Sequence, residues 1–404
     1  MKPVLAALPI LLLSPVVLLG DLCALCVERP GGQAPALPMP RADEKKAITS
    51  ATDYLVKSQA KDGSWECFRQ DFDKRLEGMK LPPSPARVWS TSLCGWALLE
   101  HGARPGGSTP ADKALAKARE FVVHYLTVDQ QHSLANPTWI FAFSGLFLSR
   151  LQRVAPNDEN LKAIKIVLDG LEEFVETTGF WGHGRVNRPS LKLSIGYNDL
   201  AASHNWVAVV LSEIAAAKVE VPERMKKRAV DYYTKTQFPN GGLAYNVEGR
   251  GTNKDETTTL GEGRSVTSLL ALRRLAPKSA ECAAAEKYAK ANLDKVITHH
   301  TPWLHLLGAG LAMDELSNRP AFDKLYKARL LAQQDADGSA KPWHDKAKAG
   351  EKPSFENFKA MADKDAEIGR AYTTACFLLL LKPSHATTTT DAPPATPTEG
   401  GKKK

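Results

Sequence analysis

The sequence lacks the marks of several common classes of protein. Among the four cysteines that follow residue 26, no two stand at Cys-x-x-Cys spacing, so a structural zinc site is not expected. The net charge of +8 includes three terminal lysines, and no basic stripe with interleaved aromatic residues accompanies it. Nucleic acid is therefore not an expected partner. His300 and His305 fit poorly on one helical face, and we predict neither a bound metal nor a cofactor.

The first 26 residues carry the pattern of a secretory signal peptide. Lys2 precedes a nearly uncharged apolar run over residues 4–20, and Ala24-Leu25-Cys26 offers a small-residue cleavage site. The pattern predicts a secreted or periplasmic protein. Without cleavage, the run is just long enough to anchor the chain in a membrane, and this is the alternative interpretation.

Composition divides the remainder of the chain into three segments. Residues 27–42 form a Pro/Gly linker, and residues 383–404 form a Thr/Pro tail that ends in three lysines. Both segments lack the apolar side chains that would offset the entropy of ordering, so we expect them to be disordered. Residues 43–382 then form the folded domain.

One turn recurs within this domain. Residues 59–65 (QAKDGSW) place an Asp-Gly pair three residues after a glutamine, at the end of an amphipathic helix. Partial copies occur at 237–242 and 334–339, and 175–181 is a degenerate copy with Val175 in place of the glutamine. Glycine accepts the left-handed backbone conformation that ends a helix. Each copy therefore predicts a turn between two helices.

A second helix follows each turn and is apolar on almost every face, as expected for a buried helix. Six such helices are predicted, over residues 91–102, 138–151, 205–217, 265–275, 302–316 and 373–381. Short returns with proline lead back to the next amphipathic helix, at the spacing of a repeat architecture. An open solenoid would need polar capping repeats, which the apolar last helix does not provide. The pattern predicts an all-α fold, an α/α toroid of about six hairpins.

The Gln-x-x-Asp-Gly-Ser-Trp turn resembles the repeat of the terpenoid cyclase and protein prenyltransferase superfamily, the prenyltransferase/squalene oxidase repeat. The resemblance covers about residues 45–382 and implies a toroid with a central, largely apolar cavity. It implies little about the reaction, because the superfamily includes cyclases, transferases and non-catalytic binding domains. Within the domain, the Asp-x-Asp-Asp, Asp-Asp-x-x-Asp and Asp-x-Cys signatures of its enzymes are absent, and residues 363–367 (DKDAE) are the nearest acidic match.

Candidate catalytic residues lie where two of the apolar helices begin. Glu262 and Arg264 precede one helix, and Glu367 and Arg370 precede another, in the shared order acid, Gly-Arg and then Thr. At the positive end of a helix, such an arginine can bind a phosphate or carboxylate while the glutamate acts as an acid or base. The structural alternative is that each glutamate and its arginine form an ion pair that holds the loop, with Ser or Thr capping the helix.

Asp199 and His204 form a second candidate pair, a general base with its orienting carboxylate. The alternative is a surface histidine beside a capping aspartate. His183 stands between two glycines near the same end of the helices and by itself indicates little. Aromatic residues at this end are candidates to stack a sugar or line an apolar pocket: Trp89, Tyr197, Trp303 and Tyr372.

Three functions remain open from the sequence. The first is an exported toroid that binds, and in a catalytic version transforms, an isoprenoid-like or other hydrophobic ligand. The missing acid and metal motifs leave its status as an enzyme undecided. The second is a non-catalytic scaffold that binds a partner protein. The third is a polysaccharide-acting enzyme, which export and rim tryptophans favour, whereas the Gln-Asp-Gly-Trp turns do not.

Overall fold

The computed structural model describes residues 41–67, 86–129, 137–184, 199–247, 261–297, 301–343, 365 and 368–381. The predicted signal peptide and the tail after residue 382 lie outside the described residues. The described part contains twelve α-helices and no strand, only isolated bridges. None of these twelve helices is long and apolar enough to cross a membrane.

The helices alternate along the chain between two sets. The odd-numbered helices form the outer set: α1 (Arg41–Ser58), α3 (Pro110–His124), α5 (Asp158–Glu173), α7 (Glu223–Thr236), α9 (Ala280–Asn292) and α11 (Arg319–Leu331). The even-numbered helices form the inner set: α2 (Ala86–Glu100), α4 (Pro137–Val154), α6 (Ala201–Ala216), α8 (Glu262–Leu275), α10 (Pro302–Glu315) and α12 (Arg370–Leu380). The six predicted apolar helices are confirmed, most of them starting a few residues earlier than expected.

Contacts between inner helices close the ring. Each inner helix packs against the next inner helix along the chain, and α12 packs against α2. The inner helices are buried on nearly every face, and the outer helices bury one stripe. The fold is therefore an α/α toroid, as the apolar and amphipathic patterns predicted.

The recurring glutamine turn joins neighbouring outer helices. In each of three copies the glutamine Nε2 donates one hydrogen bond within its own turn and one to a backbone carbonyl of another outer helix. The second set of bonds is Gln59 to Ala114 on α3 (2.8 Å), Gln237 to Glu281 on α9 (3.0 Å) and Gln334 to Ala47 on α1 (2.8 Å). The last of these bonds joins the two ends of the folded chain.

The middle of the ring is filled by side chains. Near the N-terminal ends of the inner helices, four buried aromatic residues from four helices form an aromatic layer: Trp89, Phe143, Trp206 and Tyr372. Phe143 lies 5.7 Å from Trp89 and 5.2 Å from Trp206 between ring centroids, and Trp89 lies 5.5 Å from Tyr372. Within the described residues, packed aromatic rings therefore fill the predicted apolar cavity near the N-terminal ends of the inner helices.

Charged residues lie at the opposite end of the ring. A chain of ion pairs, the ion-pair belt, links five inner helices through Glu100, Arg150, Glu213, Arg274 and Glu315. Glu213 lies at its centre, 2.6 Å from Arg274 and 2.9 Å from Arg153. Burial alone would raise the pKa of Glu213, but the surrounding arginines lower it to about 2, so it is ionised.

The four described cysteines are buried. This confirms the predicted burial of Cys94 and Cys376, whose thiol pKa values are raised well above the usual value by burial. Both are therefore protonated, unreactive thiols at neutral pH.

Candidate functional site

The six connections from an outer to an inner helix begin and end at one end of the ring, the loop-bearing end. Much of their length lies outside the described residues, including two candidates, Tyr197 and Glu367. The described turns show how the connections enter the inner helices. In three copies the backbone N–H two residues after the turn glycine donates to an inner-helix hydroxyl: Trp65 to Thr91 (3.1 Å), Leu243 to Ser265 (2.8 Å) and Ala340 to Thr374 (2.9 Å).

These three hydroxyl groups mark equivalent positions in the three inner helices. The arginines at the starts of these helices can therefore be aligned on them. Arg370 lies four residues before Thr374, and Arg87 lies four residues before Thr91. Arg264 lies only one residue before Ser265. Arg264 and Arg370 share the Gly-Arg sequence pattern, but when their helices are aligned on these hydroxyl groups the two arginines differ in position by three residues. Three residues are almost one helical turn, so Arg264 lies about one turn further along its helix than Arg370 does. The two arginines therefore have different surroundings.

Arg370 forms an ion pair that holds a loop, but its described partner is Asp335, and no Ser or Thr side chain caps its helix. Its guanidinium lies 2.8 Å from the Asp335 carboxylate and 2.7 Å from the Ser339 hydroxyl, both in the preceding turn. The side-chain hydrogen bond from Arg370 lowers the pKa of Asp335. Arg87 makes a longer pair of the same kind with Asp62, at 3.7 Å. In both copies an arginine at the start of an inner helix fastens the turn.

Arg264 is buried instead, and burial lowers its pKa. Its guanidinium carbon lies 5.3 Å from the ring centre of Tyr245, which is 41% exposed at the loop-bearing end. The carbonyl of Tyr245 accepts a hydrogen bond from Ala201 N–H (3.0 Å), and so places the tyrosine over the start of α6. Half-buried Glu262 lies at the start of α8 close to this arginine. This sector therefore offers a cation, a carboxylate and an exposed aromatic face.

Asp199 and His204 do not form the predicted pair. The Nε2 of His204 donates to the carbonyl of Ala229 (3.0 Å), and its ring stacks on Tyr232 with 3.8 Å between centroids. Asp199 accepts from Val247 N–H (2.8 Å), and within the described residues it shares no hydrogen bond with His204. Burial lowers the pKa of His204 to about 3, so the imidazole is neutral. Both residues are buried, which corrects the surface alternative as well as the catalytic one.

The three described candidates for ligand binding are buried and packed. Trp89 and Tyr372 belong to the aromatic layer, and the more exposed of the two, Trp89, shows only 6% of its surface. Trp303 donates from Nε1 to the carbonyl of Lys341 (2.8 Å), and its ring lies 5.4 Å from that of Trp343. In the described structure these three aromatic side chains are packed inside the toroid and offer no open stacking face.

Asp365 belongs to the acidic segment that matched no enzyme signature, and sequence reasoning assigned it no role. It is fully buried beside Tyr372, and one of its carboxylate oxygens lies 3.5 Å from the backbone nitrogen of Trp303. Burial raises its pKa to about 8, although Trp303, Trp343 and Tyr372 each counteract the shift through hydrogen bonding. At neutral pH the structure thus contains a protonated carboxyl group next to the aromatic layer.

A second feature that the sequence did not reveal joins Trp139 and His183. Trp139 lies in the first turn of α4, and its Nε1 donates to Nδ1 of His183 over 2.8 Å. Both side chains are half-buried at the loop-bearing end. The 44 residues between them hide the pair from any local motif.

His183 and Tyr245 occupy the same position of the repeat, four residues after the turn glycine. The other two copies carry buried Cys67 and half-buried Pro342 there. Two residues after the glycine, in contrast, all four copies place a fully buried side chain. The repeat therefore keeps one position for packing and varies another at the loop-bearing end.

The described residues contain no group of three or more His, Cys, Asp or Glu side chains that could hold a metal ion. A cleft of about 220 Å³ lies away from the candidate residues, between α3, α4 and the start of α5. Arg119 on its border is held by Asn157 and Asn160, each at 2.8 Å.

Comparison with known proteins identifies the fold. No family model matches the chain, and no curated protein matches it. Solved structures match 84% of it. A family 76 glycoside hydrolase from a bovine Bacteroides thetaiotaomicron strain is similar at 11% identity and TM-score 0.55, over 78% of its own chain. Cellobiose 2-epimerase from Bacillus thermoamylovorans is similar at 12% identity and TM-score 0.55, over 99% of its chain.

A type II terpene cyclase from Scytonema also matches, with 16% identity, TM-score 0.47 and coverage of 84% of this chain and 98% of the cyclase. Identities this low show the fold alone. The glycoside hydrolase and the epimerase thus support the α/α toroid that the repeat implies.

Proposed function

We propose that the loop-bearing end of the ring binds a saccharide and that the protein acts on a polysaccharide. The observation that carries the proposal is the pair of partly exposed aromatic rings, Trp139 and Tyr245, at the start of inner helices. Trp139 lies in the first turn of α4, and Tyr245 lies over the start of α6, the next inner helix. An aromatic ring that is partly exposed to solvent can stack its flat face on the apolar face of a sugar ring.

Hydrogen-bonding groups accompany each ring. His183 lies against Trp139, and Arg264 lies beneath Tyr245 with Glu262 nearby. Together they supply donors and acceptors of the kind that fix the hydroxyl groups of a sugar. The mixture of one guanidinium and one carboxylate favours a neutral, hydroxyl-rich ligand over a strongly charged one.

Two further considerations support the proposal. The glycoside hydrolase and the epimerase named above have the same ring fold, although that likeness shows the fold alone. Export, which residues 1–26 predict, agrees with a substrate outside the cytoplasm.

Calorimetry with a panel of neutral oligosaccharides, together with assays of released reducing ends and of epimerised products, tests the proposal. Tyr245→Ala and Trp139→Ala are each expected to weaken binding about ten-fold, because each removes one stacking face. Leu325→Ala, which truncates an exposed side chain on outer helix α11, is the control and leaves affinity unchanged. Equal affinities for all four proteins would overturn the assignment of the site.

A hydrophobic ligand is the second candidate, favoured by the aromatic layer and by the protonated carboxyl group of Asp365 beside it. Such a ligand would have to enter a layer whose rings already contact one another, which is why we place it second. Mass spectrometry of an organic extract from the purified protein separates the candidates. A stoichiometric isoprenoid or other lipid supports this function, whereas an empty extract from protein that binds oligosaccharides excludes it.

A further inference from the structure

The cleft between α3, α4 and the start of α5 lies outside the site described above. Its volume is about 220 Å³. It is bordered by the returns from α2 to α3 and from α4 to α5, which lie at the end of the ring opposite the loop-bearing end. These returns contribute Pro105 and Pro156 to the lining, and the polar lining residues are Arg119, Glu120, Asn157 and Asn160. The cleft therefore combines apolar surface with groups that form hydrogen bonds.

Asn160 brings an amide nitrogen without an acceptor to the lining of the cleft. The residue is only 1% exposed. Its Oδ1 accepts from Nε of Arg119 over 2.8 Å, and this assignment is fixed because a guanidinium can only donate. The amide NH2 group then lies on the other side, and no described residue accepts a hydrogen bond from it. A buried donor that lacks an acceptor costs free energy, so an oxygen atom of solvent or of a ligand is needed there.

Arg119 and Glu120 add groups of both kinds to the same cleft. Arg119 uses Nε for Asn160, and it uses Nη2 for Asn157 (2.8 Å) and Glu159 (2.6 Å). Among the residues that the structure describes, none accepts from Nη1, so two further N–H groups remain available. The exposed carboxylate of Glu120 likewise has no hydrogen bond or ion pair with a described residue. The cleft thus offers donors and an acceptor, and the charges of Arg119 and Glu120 have opposite sign.

We propose that this cleft is a second saccharide site, which binds a neutral sugar unit of the same polysaccharide. A hydroxyl group both donates and accepts, so it matches a lining that offers donors and an acceptor better than a carbonyl or a carboxylate does. The ion pair of Arg119 with Glu159, together with the nearby Glu120, disfavours an anion. The rings of Pro105 and Pro156 offer apolar surface to the carbon face of a sugar. The class of ligand rests on the saccharide function proposed above.

The cleft and the loop-bearing end are too far apart to share one short sugar. Trp139 lies in the first turn of α4, and Leu151, which lines the cleft, lies twelve residues further along this helix, about 18 Å away along its axis. A polysaccharide is long enough to contact both places, whereas a disaccharide is not. The second contact raises the effective concentration of the polysaccharide at the loop-bearing end. The cleft should therefore affect the affinity for long chains more than the affinity for short ones.

Asn160→Asp tests the cleft and keeps its internal bond. The new side chain still accepts from Arg119, but it places an acceptor where the NH2 donor was. Glu120→Ala is the second variant and removes the acceptor of the cleft. Glu173→Ala removes an exposed carboxylate of α5 outside the cleft and is the control.

The measurement is a titration of the nitrogen-15-labelled full chain with the neutral oligosaccharides of the panel above, followed by NMR through the side-chain N–H signals of Arg119. Saturable shifts are expected in the unmodified protein and in the control. The affinity derived from these shifts should fall about ten-fold in Asn160→Asp and in Glu120→Ala, because each loses a hydrogen bond to the sugar. Signals that do not move, or equal affinities of all four proteins, overturn the proposal.

Kinetics on long and short substrates test the role of the cleft in binding a polysaccharide. In Asn160→Asp, the ratio of KM for the polysaccharide to KM for a disaccharide is expected to rise about ten-fold, because the second contact is lost. An unchanged ratio overturns this role.

The loop-bearing-end variants Tyr245→Ala and Trp139→Ala separate this proposal from the function on which it rests. If sugars shift the Arg119 signals while both variants bind as tightly as the unmodified protein, the site at the loop-bearing end fails and the cleft stands. If both variants weaken binding while the Arg119 signals stay in place, the cleft fails and the proposed function stands.

Discussion

The side-chain amide of Gln334 donates a hydrogen bond to the backbone carbonyl of Ala47 over 2.8 Å, across 287 residues of chain. This bond joins the last outer helix to the first. An ion pair between Lys327 and Glu44 lies along the same seam. The ring is thus closed by the same turn that connects its other outer helices.

Gln334→Ala should therefore loosen the seam between α11 and α1. Loss of the two bonds made by this amide is expected to lower the free energy of unfolding by about 1–2 kcal/mol. Hydrogen exchange should accelerate in α1 before it does in α5. Gln333→Ala, one residue earlier, is the matched control for thermal unfolding and hydrogen exchange. Equal stabilities of the two variants would contradict the closing role of Gln334.

Two turn glycines allow a comparison of steric with backbone effects. Gly63 (φ +88°) and Gly179 (φ +84°) occupy the same position of the repeat, but only at Gly63 would a Cβ clash, with the carbonyl of Lys117 on α3. Alanine at either position incurs the left-handed backbone penalty of about 1–2 kcal/mol. Gly63→Ala should be the more destabilising in urea unfolding, because it also pushes α3 away from the turn. The reverse order would show that this contact carries no weight.

Glu213 is expected to be the most sensitive residue of the ion-pair belt. Glu213→Gln leaves Arg150 and Arg274 close to an uncharged group, and we expect a loss of about 3–5 kcal/mol in the free energy of unfolding. Its pKa is lowered to about 2, so its contribution is complete above about pH 4.3 and disappears as the pH falls towards 2. Glu223→Gln, at an exposed pair with Lys226, is the control and should change little. A loss as small as that of the control would refute the central position of Glu213.

Asp365 should make the protein less stable as the pH rises. The folded protein keeps this proton up to about pH 8, whereas the unfolded chain releases it near pH 4. Between these values the folded state binds more protons, so the free energy of unfolding falls by up to about 1.4 kcal/mol per pH unit. Asp365→Asn removes the titrating group, and urea unfolding from pH 5 to 8 should show a flatter profile. Asp335→Asn, which removes a carboxyl group of lowered pKa, should not flatten it.

Much of the architecture could be predicted from local patterns. The apolar helices, the amphipathic helices and the Asp-Gly turns each depend on residues close together in sequence, and all three patterns point to a closed ring. The burial of Cys94 and Cys376 follows from the same helical patterns. The site was less predictable. Arg264 and Arg370 look alike in sequence, yet the helical register places one in the interior and the other on a turn.

The sequence by itself determined the α/α toroid, because helical periodicity and turn chemistry are short-range properties that recur in each repeat. Only the tertiary structure decided which polar residues lie together. His204 meets the carbonyl of Ala229 and Asp365 lies beside Tyr372, and burial then shifts their pKa values in opposite directions on the pH scale. Trp139 and His183 meet because α4 begins beside the turn that follows α5. Such contacts depend on how helices pack, and no spacing along the chain encodes them.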